Sequence, residues 1–212
     1  MITVEQLKKF APNIRALSPS PYEDLCAALN ETMQKHGINT PRRIRYFMAQ
    51  CHVESQGFRK WEEDMYYKTA DRLVVVFSPR LTMTPGPGYA PDYLLNAEKL
   101  GNYVYAKRFG NGDPASGDGF RFRARGIIGL TFRDNYAAYS KATYGDDRVV
   151  KTPDLVAQYK DGVESAGWFW TTRKLNGFSD TDSFTAQTKA INGSERSVPE
   201  RLPLLKLANS IF

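Results

Sequence analysis

Residues 40–58, TPRRIRYFMAQCHVESQGF, carry the clearest helical pattern in the chain. A threonine followed by a proline is typical of the N-cap and first position of a helix, so we expect a helix to begin at Thr40 and Pro41. Apolar residues then recur at the i, i+3, i+4, i+7 spacing of one helix face, at Ile44, Phe47, Met48 and Cys51. The pattern predicts an amphipathic helix that ends by Gly57.

Helical patterns also cover most of the remaining sequence. Apolar residues follow helical spacing over residues 21–36, 134–144, 162–174, 184–191 and 199–212. The resulting prediction is a mainly α-helical fold.

Four other segments interrupt this helical pattern. Residues 84–88 and 110–119 are rich in glycine and proline and are typical of loops. Residues 71–77 fit either a helix or a strand. The alternation FRFR at residues 120–123 predicts a short strand, so we expect at most a small β element near residues 119–128.

Length and composition indicate an ordinary globular protein. The 212 residues are 42% hydrophobic and 25% charged, which excludes collagen-like, disordered and disulfide-scaffold classes. We expect one catalytic domain over residues 1–212, with a possible small lobe within about 65–120 and no separate cell-wall-binding module. The 29 Lys and Arg residues exceed the 23 Asp and Glu residues, giving a net charge of +6. This charge favours an anionic partner, such as nucleic acid, an anionic membrane or an acidic polymer.

Membrane and secretion signals are not evident. The longest apolar run, residues 73–77, is far shorter than the ~20 residues that span a bilayer. The first ten residues carry Glu5, Lys8 and Lys9 instead of an apolar block, so we expect no signal peptide.

The chain has two cysteines and two histidines. Cys26 and Cys51 lie within amphipathic patterns, which predicts two buried free thiols in a reducing cytosol. With only His36 and His52, a zinc site would have to recruit carboxylates or cysteines. The sequence also has no HExxH, paired CxxC, GxxxxGK[ST] or GxSxG motif, and we expect no metal and no cofactor.

Glu54 is the first candidate for chemistry. It lies at the edge of the apolar face of the predicted helix, where partial burial disfavours the charged carboxylate. A carboxyl group that keeps its proton can serve as a general acid. A structural alternative is an ion pair with Arg59.

Glu62, Glu63 and Asp64 follow shortly after the helix. Two carboxyl groups suffice for glycoside hydrolysis, because one protonates the leaving oxygen while the other activates water or attacks the sugar. A solvated acidic turn is the alternative, since sequence spacing does not give the separation of the two groups.

Two further patterns allow both functional and structural interpretations. Thr131 and Asn135 share a helix face if Thr131 is an N-cap, and together they could orient a water molecule. Arginines alternate with phenylalanines over residues 120–133, which suits a sugar cleft, nucleic acid, or merely the two faces of a strand.

Several blocks of the sequence resemble glycoside hydrolase family 19, in its bacteriophage endolysin and bacterial chitinase-like branch. Residues 52–58, HVESQGF, and 62–67, EEDMYY, resemble the family signature HES-GGF followed by EENLNY. Residues 111–119, NGDPASGDG, and 125–136, RGIIGLTFRDNY, resemble NGDEASGDG and RGxIQLTGRxNY.

The last two blocks of the family have counterparts near the C-terminus. Residues 166–170, AGWFW, match the first of them, and residues 191–193, ING, with Arg201 match the second. The blocks follow family order from about Pro41 to the end of the chain. A series of blocks in order is more specific than any single motif.

The resemblance implies a lysozyme-like, two-lobed helical fold and an inverting mechanism without a metal. By position, Glu54 matches the general acid, Glu63 the general base with Glu62 as the alternative, and Thr131 the hydroxyl that helps hold the attacking water. The residues that match substrate-binding positions are Tyr67, Arg125, Asn135, Asn192 and Arg201, of which the last three could instead tune the carboxylates.

This sequence also departs from the family pattern. Gly129 stands where the family usually has a glutamine that contacts substrate, and Tyr66 replaces an asparagine near the base. Ala124 and Ser194 each replace a glycine. These departures concern substrate contacts more than the reaction class.

These observations predict a monomeric phage endolysin that cleaves β-1,4 bonds in the glycan strands of bacterial peptidoglycan. The protein would reside in the host cytoplasm before release and act on the cell wall in the periplasm, without binding nucleic acid or inserting stably in a membrane. The alternatives are a chitinase, another peptidoglycan lyase or hydrolase, a catalytically inactive cell-wall-binding protein and a basic nucleic-acid binder.

Overall fold

A computed structural model describes every residue of the chain, from Met1 to Phe212. It contains twelve α-helices and three short 3-10 helices, and none of these elements is a β-strand. In chain order the α-helices are α1 Val4–Phe10, α2 Pro21–Lys35, α3 Pro41–Glu54, α4 Ala70–Phe77, α5 Ala97–Val104, α6 Asp118–Arg121, α7 Arg133–Tyr144, α8 Arg148–Lys151, α9 Tyr159–Thr172, α10 Asn176–Asp180, α11 Phe184–Asn192 and α12 Val198–Ile211. The 3-10 helices span Ala90–Tyr93, Pro114–Ser116 and Pro153–Ala157. The prediction of a mainly α-helical fold is confirmed.

No helix combines the length and the apolar character needed to cross a membrane.

The chain divides into two compact units. Unit 1 contains Met1–Trp61, Arg125–Gly129 and Asp154–Phe212, and unit 2 contains Glu62–Ala124 and Leu130–Pro153. Each unit has its own cluster of buried apolar side chains. The expectation of one catalytic domain over residues 1–212 stays a prediction.

Unit 1 is built on helix pairs, with α3 packed against α12 and α2 against α9. The start of α3 is as predicted, because the Thr40 hydroxyl accepts a hydrogen bond from the Arg43 backbone N–H. Phe47 of α3 lies edge-on to the buried ring of Trp170, with 5.1 Å between ring centroids. The amphipathic pattern of α3 thus places its apolar face in the core of unit 1.

Both cysteines lie in this core as free thiols, which confirms the prediction that they are buried and unpaired. Burial raises the pKa of Cys26. Burial also raises the pKa of Cys51, and the nearby Glu54 carboxylate adds to the effect. Both side chains therefore stay protonated and act as small apolar groups at neutral pH.

Unit 2 is organised around α4 and α5, whose Leu73, Leu100 and Val104 are buried. The ambiguous apolar segment at residues 71–77 is helical, as α4. Helix α6 lies directly against α5. The two backbones are so close that a Cβ atom added to Gly119 would overlap the carbonyl oxygen of Gly101. The glycine at position 119 permits this close approach.

The predicted strand at residues 120–123 is wrong. Phe120 and Arg121 belong to helix α6, and the Phe122 backbone N–H donates to the Asp118 carbonyl at 2.9 Å, as in a helical turn. Four alternating residues are too few to distinguish the two-residue repeat of a strand from the repeat of about 3.6 residues of a helix. The Arg123 guanidinium instead stacks over the Phe120 ring, 4.2 Å from its centroid.

A polar cluster joins α2 to α9 inside unit 1. The Glu164 carboxylate accepts hydrogen bonds from the Lys35 ammonium, from the Thr32 hydroxyl at 3.2 Å and from His36 Nε2 at 3.1 Å. Only 11% of the Glu164 side chain is exposed. Burial alone would raise the pKa of Glu164, but the hydrogen bonds and charges of His36 and Lys35 outweigh it and hold the pKa below its ordinary value.

We expect this cluster to make the stability of unit 1 depend on pH. Because the pKa of Glu164 is lowered in the folded state, its stabilisation is present above the unfolded pKa of about 4.5 and is lost as the pH falls through the folded value. Glu164→Gln should lower the free energy of unfolding by about 1–3 kcal/mol at pH 7, and the difference should shrink on acidification. Urea unfolding from pH 3 to pH 7 measures this.

The matched control is Glu31→Gln, which changes an exposed glutamate on the same α2 helix. We expect that substitution to change stability by no more than about 0.5 kcal/mol. A difference between wild type and Glu164→Gln that stayed constant over the whole pH range would contradict the assignment.

Candidate active site

Glu54 is the last residue of α3, and a quarter of its side chain, 25%, is exposed. The helix end beneath it is fixed by Ser55, whose hydroxyl donates to the Cys51 carbonyl at 2.6 Å and accepts from the Phe58 N–H at 2.9 Å. Glu54 is therefore a partly exposed carboxyl group on a rigid support, as the helical pattern predicts.

The partner of Glu54 is Arg201 on α12. The guanidinium is buried and uses all three of its nitrogens: Nη2 donates to Glu54 Oε1, Nη1 donates to Gln50 Oε1, and Nε donates to the Ser197 hydroxyl at 3.0 Å. The alternative pairing with Arg59 is wrong, since Arg59 Nε donates to the Gln56 carbonyl at 2.8 Å.

Two of the residues that bind Arg201, Gln50 and Ser197, make further hydrogen bonds. Gln50, one helical turn before Glu54 on α3, donates from Nε2 to the Thr188 hydroxyl at 3.0 Å and to Gln187 Oε1 at 3.3 Å. Asn192 donates to the Ser197 hydroxyl. We call Gln50, Glu54, Asn192, Ser197 and Arg201 the Glu54 network.

The Glu54 network brings together three residues that the sequence analysis singled out: Glu54, Asn192 and Arg201. Gln50 and Ser197 were missed, because neither belongs to a recognisable charge or metal-ligand pattern. The fixed fork of the guanidinium sets the orientation of the Glu54 carboxyl group. A carboxyl group held in one orientation can exchange a proton with a bound molecule in a defined direction.

Arg125 also lies in unit 1, but among other partners. Its side chain is 3% exposed and forms an ion pair with Asp154, at 2.8 Å between Nη2 and Oδ1. Its assignment to substrate binding stays a prediction.

In unit 2, Glu63 is held through both its backbone and its carboxylate. Its backbone N–H donates to the Ala124 carbonyl at 2.8 Å. The Tyr105 hydroxyl lies 2.8 Å from Oε1 and 3.0 Å from Oε2 of Glu63. Burial raises the pKa of Tyr67, and the charge of Glu63 adds to the effect. We call Glu63, Tyr67 and Tyr105 the Glu63 cluster.

The other two carboxylates of the acidic run have different partners. Glu62 forms an ion pair with Arg123 at 2.7 Å. Asp64 Oδ1 accepts the Tyr66 backbone N–H at 2.8 Å. Three consecutive acidic residues thus bind an arginine, a phenol and a backbone amide, a difference that the sequence run does not reveal.

Thr131 lies one residue before the cap of α7. The structural alternative, in which Thr131 is the N-cap, is wrong, because Phe132 occupies the cap with φ +73° and makes no side-chain capping bond. Asn135 does turn back towards Thr131, since its Nδ2 donates to the Thr131 carbonyl at 2.7 Å. This hydrogen bond makes Thr131 and Asn135 direct neighbours in the structure.

The chain contains no group of three His, Cys, Asp or Glu side chains arranged to hold a metal ion. The reactive groups in the Glu54 network and the Glu63 cluster are carboxyl groups. Glu54 is bound by the Arg201 guanidinium, and Glu63 by the Tyr105 phenol. Paired acid and base carboxyl groups are the catalytic groups of most glycoside hydrolases.

The chain is similar to a family 19 glycosyl hydrolase domain protein of Haemophilus influenzae, with 31% identity over 188 residues and 89% of each chain covered. This chain therefore belongs to glycoside hydrolase family 19. No protein-family model matches it.

Solved chitinase structures share the fold. Chitinase C from Streptomyces griseus superimposes with a TM-score of 0.63 at 17% identity, covering 99% of this chain and 91% of that one. A class IV family 19 chitinase from Zea mays gives a TM-score of 0.53 at 14% identity, with 98% and 87% covered. The prediction of the family and of its helical fold is confirmed.

The geometry around Arg201 predicts that charge alone does not replace this residue. Arg201→Lys keeps the positive charge but lacks the planar fork that reaches Glu54, Gln50 and Ser197 together, so at least one of these acceptors loses its donor. We expect the free energy of unfolding to fall by about 1–3 kcal/mol, measured by urea denaturation. Arg196→Lys, at an exposed position in the same region, is the control. Equal stability of Arg201→Lys and wild type would show that the three-way contact contributes nothing.

Proposed function

We propose that this protein is a phage endolysin that hydrolyses β-1,4 glycosidic bonds of bacterial peptidoglycan by an inverting acid–base mechanism. The observation that carries the reaction type is membership of glycoside hydrolase family 19. It is supported by two separately held carboxyl groups, Glu54 and Glu63, which match the acid and base of the family by sequence resemblance.

In this mechanism Glu54 protonates the glycosidic oxygen as the bond to the anomeric carbon breaks. Arg201 donates to Oε1 of Glu54, so the proton for the leaving group is carried on Oε2. Glu63 removes a proton from a water molecule that attacks the anomeric carbon from the opposite side. Thr131 holds that water. Tyr67 and Arg125 are assigned to sugar contacts, and Asn135 and Asn192 to sugar contacts or to adjusting the acidity of the carboxyl groups.

Glu63 is favoured over Glu62 as the base. Glu62 is paired with the Arg123 guanidinium, which neutralises its charge and occupies an oxygen. The hydrogen-bond partner of Glu63 is the uncharged Tyr105 hydroxyl. A carboxylate without a bound cation is the better acceptor for a proton from water.

The choice of peptidoglycan rests on charge. The net charge of +6 speeds encounter with an anionic cell-wall polymer, whereas chitin is neutral and offers no such attraction. Chitin is the second candidate substrate, because the solved structures with the same fold are chitinases. In the proposed life cycle a monomer resides in the host cytoplasm, passes the inner membrane with the aid of a holin and acts in the periplasm.

The first test is digestion of purified peptidoglycan by wild type and Glu54→Gln. An amide cannot give up a proton to the leaving oxygen, so we expect a loss of about 10²–10⁴-fold with the fold retained. Mass spectrometry after borohydride reduction identifies the bond: reduced muramic acid ends indicate a muramidase and reduced glucosamine ends a glucosaminidase. Glu31→Gln is the matched control.

Other outcomes redirect or reject the proposal. Anhydro ends would indicate a lytic transglycosylase. Products from chitin alone would establish the second candidate, and no products from either glycan would indicate an inactive binding protein. Near-normal turnover by Glu54→Gln would remove Glu54 from the acid role.

The two roles are separated by azide, an anionic nucleophile that needs no base. In Glu63→Ala, azide can attack the anomeric carbon while Glu54 protonates the leaving oxygen, yielding a glycosyl azide of inverted configuration. We expect azide to restore turnover of soluble glycan fragments in Glu63→Ala but not in Glu54→Ala.

Glu62→Ala serves as the control in that assay. We expect it to keep most of the activity and to form no azide adduct. If Glu62→Ala rather than Glu63→Ala is inactive and responds to azide, the base is Glu62.

A further inference from the structure

The Tyr105 hydroxyl contacts both oxygens of the Glu63 carboxylate, at 2.8 and 3.0 Å. A phenol has one proton, so the hydroxyl is a single donor shared between two acceptors. Burial raises the pKa of Tyr105, and the neighbouring Glu63 carboxylate adds to the effect. The hydroxyl therefore remains a donor over the whole pH range in which a glycosidase works.

Several contacts hold the Tyr105 ring in place, so its hydroxyl can orient the Glu63 carboxylate. Tyr105 caps the C-terminus of α5, where its N–H donates to the Gly101 carbonyl at 3.1 Å and its own carbonyl accepts from Asn111 Nδ2 at 3.0 Å. The ring meets Phe132 edge-on at 5.3 Å, and the Arg108 guanidinium lies 6.0 Å from its centroid. Backbone, amide and aromatic contacts together leave the phenol little freedom.

Two of the residues that contact Tyr105 are connected with the turn that contains Thr131: Phe132 belongs to it, and Asn111 contacts it. Phe132 follows Thr131 directly and has φ +73°, a conformation that non-glycine residues adopt only when their surroundings impose it. Its N–H donates to the Phe122 carbonyl at 2.9 Å. Asn111 also accepts the Arg133 N–H at 3.0 Å through Oδ1, so one amide side chain joins Tyr105 to the start of α7.

We propose that Tyr105 is the positioning residue for Glu63. Its hydroxyl holds the plane of the carboxylate and leaves the remaining lone pairs of the two oxygens free for the attacking water. A neutral donor suits this task better than the arginine that binds Glu62, because it orients the carboxylate without placing a positive charge beside it. This inference rests on the proposed role of Glu63 as the base.

The first measurement compares Tyr105→Phe with wild type on the soluble glycan that wild type cleaves. The substitution removes only the hydroxyl and keeps the ring contacts with Phe132 and Arg108. Because a misoriented base lowers the rate of the chemical step, we expect kcat to fall on the order of ten- to hundred-fold with KM unchanged. Tyr103→Phe removes a phenol hydroxyl from the same α5 helix and should leave kcat unchanged.

A double-mutant cycle then distinguishes positioning from general structural support. The cycle combines Tyr105→Phe with Glu63→Ala, and turnover by the Glu63→Ala background is measured with azide as the nucleophile. If Tyr105 acts through Glu63, its hydroxyl has no role once the carboxylate is gone. We expect Tyr105→Phe to cause no further loss in that background, although it is costly in the wild type.

Each result decides between the two proposals. An equal loss in both backgrounds, or an unchanged kcat in Tyr105→Phe, would overturn the positioning role while leaving Glu63 as the base. Full activity of Glu63→Ala would instead overturn the base assignment. If azide restores no turnover, the single variant decides: reduced kcat at unchanged KM and melting temperature supports positioning, and any other combination rejects it.

Discussion

The burial of the Arg201 guanidinium against α3 is the constraint on which the candidate acid depends. A buried arginine is tolerated only when acceptors surround it, and here they come from Glu54, Gln50 and Ser197. Glu54 and Gln50 are one turn apart on α3, so both can bind one guanidinium. The pairing of α3 with α12 and the orientation of Glu54 thus follow from the same set of hydrogen bonds.

Helical periodicity accounts for what could be predicted of the fold. Helix α3 begins at the expected Thr40 cap, and the segments from residue 134 onwards form helices close to their predicted bounds. These predictions succeed because burial of one face requires regular spacing over three or more turns. The segment at residues 120–123 is too short for such a test: Phe120 and Arg121 complete helix α6, and the Phe122 N–H donates to the Asp118 carbonyl at its end.

The candidate site was less predictable, because the identity of a partner is not encoded locally. The sequence placed Glu54 at a helix edge and suggested an ion pair with the nearby Arg59, whereas the structure pairs Glu54 with Arg201 of α12, 147 residues away in the chain. Tyr105 lies 42 residues from Glu63 in the chain and belongs to no acid–base pattern. The positive φ of Phe132 likewise follows from packing, since nothing about a phenylalanine in the sequence suggests that conformation.

The two buried cysteines have a practical consequence for experiments on this protein. Both belong to unit 1, and unit 2 has none. A thiol reagent that modifies Cys51 must wait for α3 to open, because the folded side chain is fully enclosed. The alkylation rate of Cys51 therefore reports the opening of the segment that carries Glu54, and no label needs to be engineered into the chain.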